Sequence, residues 1–554
     1  MIVPNNLSST IEPDSHFGAS STADTDHPVS ERTDRSGEDA HPYRFHLRPL
    51  SLTAVFALLL GLALLAFRWR LPLLGMHSFR QTQTAITCYW LMRGSPWLAY
   101  ETPVLGAPWS APFEFPFYQL LVAGLSSLTA LPLDSTGRLV SYLFLILTVV
   151  PIRMLARAWQ LDISYVPIFA ILLLASPIYL FWGTAFLMET FVVFFCFWFL
   201  AEVELTTQSS GWSPLALSIL CGSVAALGKI TTFLPFGCLA AAILLNDFIV
   251  RLSRREGLLR PLLCGGAIMT LPLIFFELWD RFADGQKLNN PIATYMMSSS
   301  PTTHKWMFGT WAQLFSVRML LTLLRTISDS LGVLGAPLLI ATIALIVHCR
   351  VIDRRTWIIV SGAIGAFLLP FLIFTNVHIV HNYYDTANAI FLICAFAILV
   401  SRLFSTEHRR AAWNVLILTV ASQLLWFPVF FLPDIRHPFD RPLLQIADAI
   451  NTNTDSDSVV VIYGQEWSPV IPYYAQRRAL MEPGFVPPED TLDRARRMLS
   501  PQGGHPVEAV VRCPSRMDRL TEFDRIFADL DRHLAKRQIA GCDVYFVAHA
   551  SPKH

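Results

Sequence analysis

Between about residues 50 and 433 the chain consists of apolar runs of 17–22 residues, separated by short polar or basic breaks. A hydrocarbon core about 30 Å thick takes roughly 20 apolar residues of helix. Each run therefore reads as a membrane span. Eleven are predicted, near 50–68, 138–156, 162–182, 188–204, 214–230, 232–250, 258–279, 327–348, 356–375, 385–402 and 411–432. The run 115–133 is also apolar, but it holds Pro116, Gln119, Gly124 and Pro132 and reads as a re-entrant or interfacial helix.

The basic loops orient the spans. Residues 251–260, 350–355 and 402–410 are rich in arginine, with Arg153 and Arg157 a weaker fourth group. Positive charge is retained on the cytoplasmic side. With 115–133 kept outside, all four groups fall inside; counted as a full span, it would put all four outside. The predicted topology has a cytoplasmic N-terminus. Loops 69–137, 280–326 and 376–384, and everything after Pro433, then lie on the outer face. Arg68 and Arg70 at the outer end of the first span count mildly against it.

The ends differ from the middle. Residues 1–49 are rich in Ser, Thr, Asp, Pro and His and cannot bury enough apolar surface to order themselves, so a disordered cytoplasmic tail is expected. From 434 to 554 the periods change. Residues 443–450, 490–499 and 517–537 read as helices, and 458–463, 507–512 and 543–548 as strands. This predicts a small α/β extracytoplasmic domain after the transmembrane domain 50–433.

Composition agrees: of 554 residues, 53% are hydrophobic and only 15% charged. That excludes a soluble enzyme, a fibre and a single-anchor protein. Net charge is +1, so nothing points to nucleic acid. The nine cysteines form no metal-ligand spacing, and no metal or other cofactor is expected. Cys513 and Cys542 lie in the polar tail and could pair if it is extracytoplasmic.

The unusual polar residues gather on the predicted outer side. The first outer loop carries His77-Ser-Phe-Arg80-Gln81-Thr-Gln83-Thr84, then Glu101, then Glu114-Phe-Pro116-Phe-Tyr118. Glu189 stands at a span end among apolar residues, a costly position that usually marks function and suits a general base. Snorkelling to water is the plain alternative for Glu189, and likewise for Lys229. Arg80 has the fork geometry that suits phosphate. The loop after the ninth span reads His378-Ile-Val-His381-Asn-Tyr383-Tyr384. His378 and His381 without a nearby carboxylate ligand fit polar substrate contact better than a metal.

At these residues the chain resembles the GT-C superfamily of polyprenyl-phosphate-sugar-dependent glycosyltransferases. The likeness is to a family 39-like branch that includes protein mannosyltransferases and the aminoarabinose transferase of lipid A. It rests on the order of features: a first span, a long outer loop with a Pro-aromatic helix at Phe115-Pro116-Phe117-Tyr118, an Arg138-Leu-Val-Ser span, and a Ser176-Pro177 span leading to Glu189. The resemblance implies an all-α GT-C fold of about eleven transmembrane helices in the plasma (inner) membrane. It also implies an inverting transfer of sugar from a polyprenyl-phosphate donor to a lipid, glycan or protein acceptor.

Such a transfer needs a carboxylate to take the acceptor proton and cations to stabilise the leaving lipid phosphate. Glu189, Glu114 and Glu101 are the outer carboxylates, ranked in that order. Arg80, Lys229 and Arg325 are the cations. His77, Gln81, Gln83, Thr84, His378, His381, Tyr383 and Tyr384 are the candidate substrate contacts. Two departures stand out. Where the superfamily usually places an early first-loop acid, the chain reads Arg80-Gln81-Thr82-Gln83, and Glu114-Phe115-Pro116 replaces a usual Lys-Pro-Pro.

A flippase or transporter of lipid-linked sugars would instead charge the mid-span regions. A non-catalytic subunit of an envelope polysaccharide assembly would fit the missing acid. The gathering of polar groups at one set of span ends favours the transferase. A reporter fused after Pro433 is expected to be active outside the cytoplasm, and one within 251–260 inside. A cytoplasmic tail would overturn the placement of every candidate residue.

Overall fold

The computed structural model describes residues 41–547. Among the described residues, 41–46 are helical and belong to a unit that ends at His46. Most of the expected disordered tail, 1–40, lies outside the described residues, while residues 41–49 are helical. Everything from Leu47 onward is a second unit.

Every predicted span falls on a helix. Among the described residues eight helices are long and apolar enough to cross a membrane: Arg48–Arg68, Leu133–Ala158, Glu189–Gln208, Ile230–Ser253, Leu259–Lys287, Arg354–Ile373, Asn382–Phe404 and Arg409–Phe430. The other three expected spans are shorter or broken. Span 162–182 is split into Tyr165–Ala175 and Pro177–Trp182, because Pro177 has no N–H to donate. Span 214–230 is the 17-residue helix Trp212–Gly228. Span 327–348 starts inside Val317–Leu331 and continues, after a break at Gly332, as Gly335–Cys349. Gly332 has φ 83°, and a Cβ there would lie 2.3 Å from the Ser422 backbone.

Which helices are central follows from their sequences. Asn382–Phe404 is apolar on every side, and 94% of its apolar window is buried. Arg48–Arg68 and Leu259–Lys287 bury only 22% and 17%, leaving most of their apolar surface for lipid. The segment 115–133 holds the 13-residue helix Phe117–Thr129, about 20 Å long and too short to span. Loop 280–326 forms short helices. Pro301–Leu314 meets Val317–Leu331 at a 102° bend.

The tail is a mixed five-stranded sheet of β1 (Val459–Tyr463), β2 (Arg478–Met481), β3 (Val507–Arg512), β4 (Ala535–Ile539) and β5 (Cys542–Phe546), ordered β2-β1-β3-β5-β4. β1 is parallel to both neighbours and buried along its length, as its Val-Val-Val-Ile-Tyr run requires. β5 is antiparallel to β3 and β4. The helix expected over 517–537 ends at His533, and its last residues belong to β4. β2, four residues long, was not foreseen. A disulfide joins Cys513 to Cys542.

The first outer loop closes the free edge of β2. The Gly106 N–H donates to the Ala479 carbonyl (3.0 Å), and the Ala479 and Met481 N–H groups donate to Pro103 and Val104 (2.8 and 3.0 Å). An edge that would otherwise expose unpaired backbone is thereby sealed, and the tail is fixed to the loop that carries the candidate residues.

Candidate active site

Buried ties hold loop 69–137. Arg138, at the start of its helix, donates to the carbonyls of Arg68 (2.8 Å), Leu71 (2.6 Å) and Pro72 (3.0 Å). Asp440 accepts the Gly75 N–H at 2.8 Å and Asp434 the Met76 N–H at 2.6 Å. Gly75 has φ 88°, and a Cβ there would meet Asp434 at 2.4 Å, so only glycine allows this approach. The next turn places His77 in the left-handed region (φ 50°) and starts the helix Ser78–Met92. Arg80 and Gln83, three apart, share one of its faces, and Arg80 donates to Gln83 at 2.8 Å.

Glu114 is fixed through its backbone neighbours. The Tyr100 hydroxyl donates to the Glu114 carbonyl and accepts the Phe113 N–H (2.9 and 2.7 Å). Trp279 donates to the Phe113 carbonyl (2.9 Å), and the Phe115 N–H donates to Leu227 (3.0 Å). The Glu114 carboxylate forms an ion pair with Arg80.

A second, deeper pair lies beside it. Glu189 opens the helix Glu189–Gln208, where the positive end of the helix dipole favours a carboxylate. Lys229 occupies the extended break between Trp212–Gly228 and Ile230–Ser253 (φ −168°, ψ 99°). Its Nζ lies 2.6 Å from Glu189 Oε1, with side chains only 4% and 2% exposed, against 12% and 22% for Arg80 and Glu114. The ammonium also sits over the rings of Tyr384 (3.9 Å) and Tyr383 (5.1 Å). Glu189 Oε2 is buried with no hydrogen-bond partner among the described residues.

His77 and His381 meet at 3.1 Å between their Nδ1 atoms, so one donates and one accepts. The His77 ring also packs on Trp182 and Tyr383. Burial lowers His77 to about 4, with Arg325 adding to it against a hydrogen bond to Asn382. Burial, then His77, Lys229 and Arg80, lower His381 to about 3. Burial would raise Glu114, but Arg80 and then Lys229 hold it below the usual carboxylate range. The two ion pairs thus act on each other.

The structure places Arg80, Gln83, Glu114, Glu189, Lys229, His77, His381, Tyr383 and Tyr384 in this cluster, and the other candidates elsewhere. Glu101 pairs with Arg478 of β2 (3.2 Å), whose guanidinium stacks on Trp90. It is a strut to the tail domain. His378 turns away from His381 and bonds Asp385 (2.8 Å), which also accepts from Thr326 (2.8 Å). Gln81 is fully buried and accepts the Phe186 N–H (3.2 Å), steadying the segment that leads to Glu189. Thr84 bonds back to the Arg80 carbonyl. Arg325 is half-exposed and pairs with Asp329 (3.4 Å). Among the described residues no three His, Cys, Asp or Glu side chains are grouped to hold a metal.

Sequence reasoning missed Asp434, Asp440, Tyr100 and Asn382. The two aspartates follow directly on the last apolar run and looked like the start of the tail. Asn382, next to His381, carried a local signal. Its amide donates to the Met76 sulfur at 3.2 Å.

The helices and this cluster define a multi-pass membrane protein with polar machinery at one end of the bundle. No family model matches the chain, and no curated protein matches its sequence. Solved structures do. ArnT from Cupriavidus metallidurans bound to undecaprenyl phosphate is similar with a TM-score of 0.58 at 14% identity, covering 91% of this chain and 99% of that one. Its apo structure gives 0.50 at 14%, covering 89% and 97%. The arabinofuranosyltransferase AftD from Mycobacteria gives 0.51 at 15%, covering 91% of this chain and 40% of that one. The chain has the GT-C fold of these proteins.

The histidine pair yields a pH dependence. Above pH 6.5 both imidazoles are neutral in the folded and unfolded chain alike. Between about 6.5 and 4 the unfolded chain binds the protons first, so stability falls as pH falls through that window. The thermal midpoint of the wild type is expected to drop more between pH 7 and pH 5 than that of His77→Gln/His381→Gln. Equal drops would contradict the neutral pair.

Proposed function

We propose that the chain is a membrane glycosyltransferase that moves a sugar from a polyprenyl-phosphate donor to an acceptor hydroxyl at the outer face of the membrane. The observation that carries this reading is the pair of adjacent ion pairs at one end of the bundle, one more open and one sealed. Together they provide two cations and two carboxylates in a water-poor setting. The likeness to ArnT, solved with undecaprenyl phosphate, supports the donor class, and the Cys513–Cys542 disulfide suits an oxidising outer compartment.

Glu189 takes the proton of the acceptor hydroxyl at Oε2, the oxygen that lacks a partner, while Lys229 holds Oε1 in place. The acceptor oxygen bonds to the anomeric carbon as the bond from that carbon to the phosphate oxygen breaks, with inversion. The polyprenyl phosphate leaves with the electron pair. Arg80 stabilises that charge, exchanging its Glu114 partner for phosphate oxygens, a geometry that the guanidinium fork fits. Glu114 thereby keeps the resting guanidinium paired and is the second choice for the base. The histidine and tyrosine rings line the sugar. Glu101, His378, Gln81, Thr84 and Arg325 serve position rather than chemistry.

The test is transfer from radiolabelled polyprenyl-phosphate sugars to crude membrane lipids by purified protein. Glu189→Gln is expected to abolish transfer while the donor still binds. Arg80→Ala should lower donor use at least tenfold, the loss of about 1.4 kcal/mol or more of phosphate stabilisation, and Lys229→Ala should lower turnover at least tenfold by releasing the Glu189 carboxylate it holds. Wild-type turnover in Glu189→Gln with a dead Glu114→Gln would move the base to the first loop. Unchanged turnover in Arg80→Ala would refute the leaving-group role, and unchanged turnover in Lys229→Ala would refute the positioning of Glu189.

A further inference from the structure

The helices that carry the candidate site line an open cleft at their opposite ends. A cleft of about 640 Å³ lies between Leu133–Ala158, Glu189–Gln208, Ile230–Ser253, Arg354–Ile373 and Asn382–Phe404. Its walls are apolar, among them Phe197, Leu200, Ile359 and Phe391, and its mouth carries Glu204, Asp247, Arg354 and Arg355. Glu204 is fifteen residues beyond Glu189 on one helix, about 22 Å along its axis. The cleft is therefore separate from the transfer site.

The charges at the mouth are not equivalent. Asp247 is taken by Arg251, whose Nε lies 2.9 Å from both carboxylate oxygens, and Glu204 accepts from Gln208 at 2.7 Å. Arg354 and Arg355 are exposed, and among the described residues neither side chain has an ion pair or hydrogen bond. With Asp247 compensated and Glu204 bonded only to a neutral amide, the mouth sets two unpaired guanidinium groups against one carboxylate, a net positive charge. Apolar walls do not hold ordered water, so the cleft suits an apolar occupant. Among membrane components, an acyl chain has the chemistry for the walls, and a phosphodiester has the chemistry for two free guanidinium groups. The mouth lies beside the basic segments 251–260 and 350–355, on the side that the positive-inside rule makes cytoplasmic, where anionic lipids concentrate.

We propose that this cleft is a binding site for one anionic phospholipid of the cytoplasmic leaflet. Its acyl chain fills the apolar cleft and its phosphodiester rests on Arg354 and Arg355. Three of the five walls are the helices whose far ends present Glu189, Lys229 and Tyr383–Tyr384, so the bound lipid stiffens the scaffold of the site. The inference rests on the orientation of the bundle and not on the transfer chemistry.

The test is native mass spectrometry of protein extracted from bilayers of equal phosphatidylglycerol and phosphatidylcholine. The wild type is expected to retain one phosphatidylglycerol per chain with at least tenfold preference, and phosphatidylglycerol should raise the thermal midpoint of delipidated protein. Arg354→Gln/Arg355→Gln should lose that preference and that shift. Arg254→Gln/Arg255→Gln, on the neighbouring exposed loop, should keep both. Gly362→Phe projects into the cleft, where a Cβ meets only Leu239 at 3.6 Å, and should retain no lipid. Equal retention of the two lipids by the wild type overturns the proposal, and so does undiminished preference in Arg354→Gln/Arg355→Gln. Displacement of phosphatidylglycerol by undecaprenyl phosphate at equal concentration also overturns it, since the cleft would then belong to the donor. These readouts need no sugar transfer, so they stand or fall apart from the proposed reaction.

Discussion

The contact between Lys229 and Glu189 governs the end of the bundle that carries the polar cluster. Removing two charges from water costs several kcal/mol per ion, and the pair repays it only where geometry is tight. Here the distance is 2.6 Å and both side chains are sealed. The arrangement demands that one helix begin at Glu189 and that another be interrupted at Lys229, so that ammonium and carboxylate meet where two helix ends leave room. A well-packed apolar pair would stabilise the bundle as well or better. An ion pair retained with one unbonded carboxylate oxygen is what the proposed base at Glu189 rests on.

In the proposed reaction, the second ion pair lets loop 69–137 work without an acid near Arg80. Glu114 reaches Arg80 from 34 residues away, held by Tyr100, Trp279 and the carbonyl of Leu227. An acid beside the donor phosphate would repel it if free. Paired with Arg80, it neutralises the guanidinium, and in the proposed reaction an anion takes its place. The tail domain supports this loop from the other side, with β2 bonded to 103–106 and Arg478 paired with Glu101.

Much of the fold was legible because the bilayer imposes one length scale on every span, and residues 385–402 or 411–432 admit no other reading. The misreadings have local causes. Pro177 breaks an apolar run that hydropathy alone treats as continuous. Ala535–Ile539 is polar and exposed as an edge strand, so it read as the end of the preceding helix. The site was legible in type but not in pairing. Glu189 and Lys229 stood out as charges among apolar residues, yet their meeting depends on two helix ends 40 residues apart. Nothing near Glu101 announces Arg478, 377 residues later, and the spacing of His378 and His381 suggested a shared ligand although their rings take different partners. Contacts of that range are set by tertiary packing, which a single sequence does not display.

The central claim is that Arg80 waits in an ion pair with Glu114 and changes partners when a lipid phosphate arrives. Equilibrium binding of undecaprenyl phosphate to purified wild type, Glu114→Gln and Arg80→Ala tests it most directly. With the competing carboxylate neutralised, Glu114→Gln should bind at least as tightly as the wild type, and Arg80→Ala at least tenfold more weakly. If Glu114→Gln weakens binding as much as Arg80→Ala does, the pair is a structural unit and the exchange does not occur.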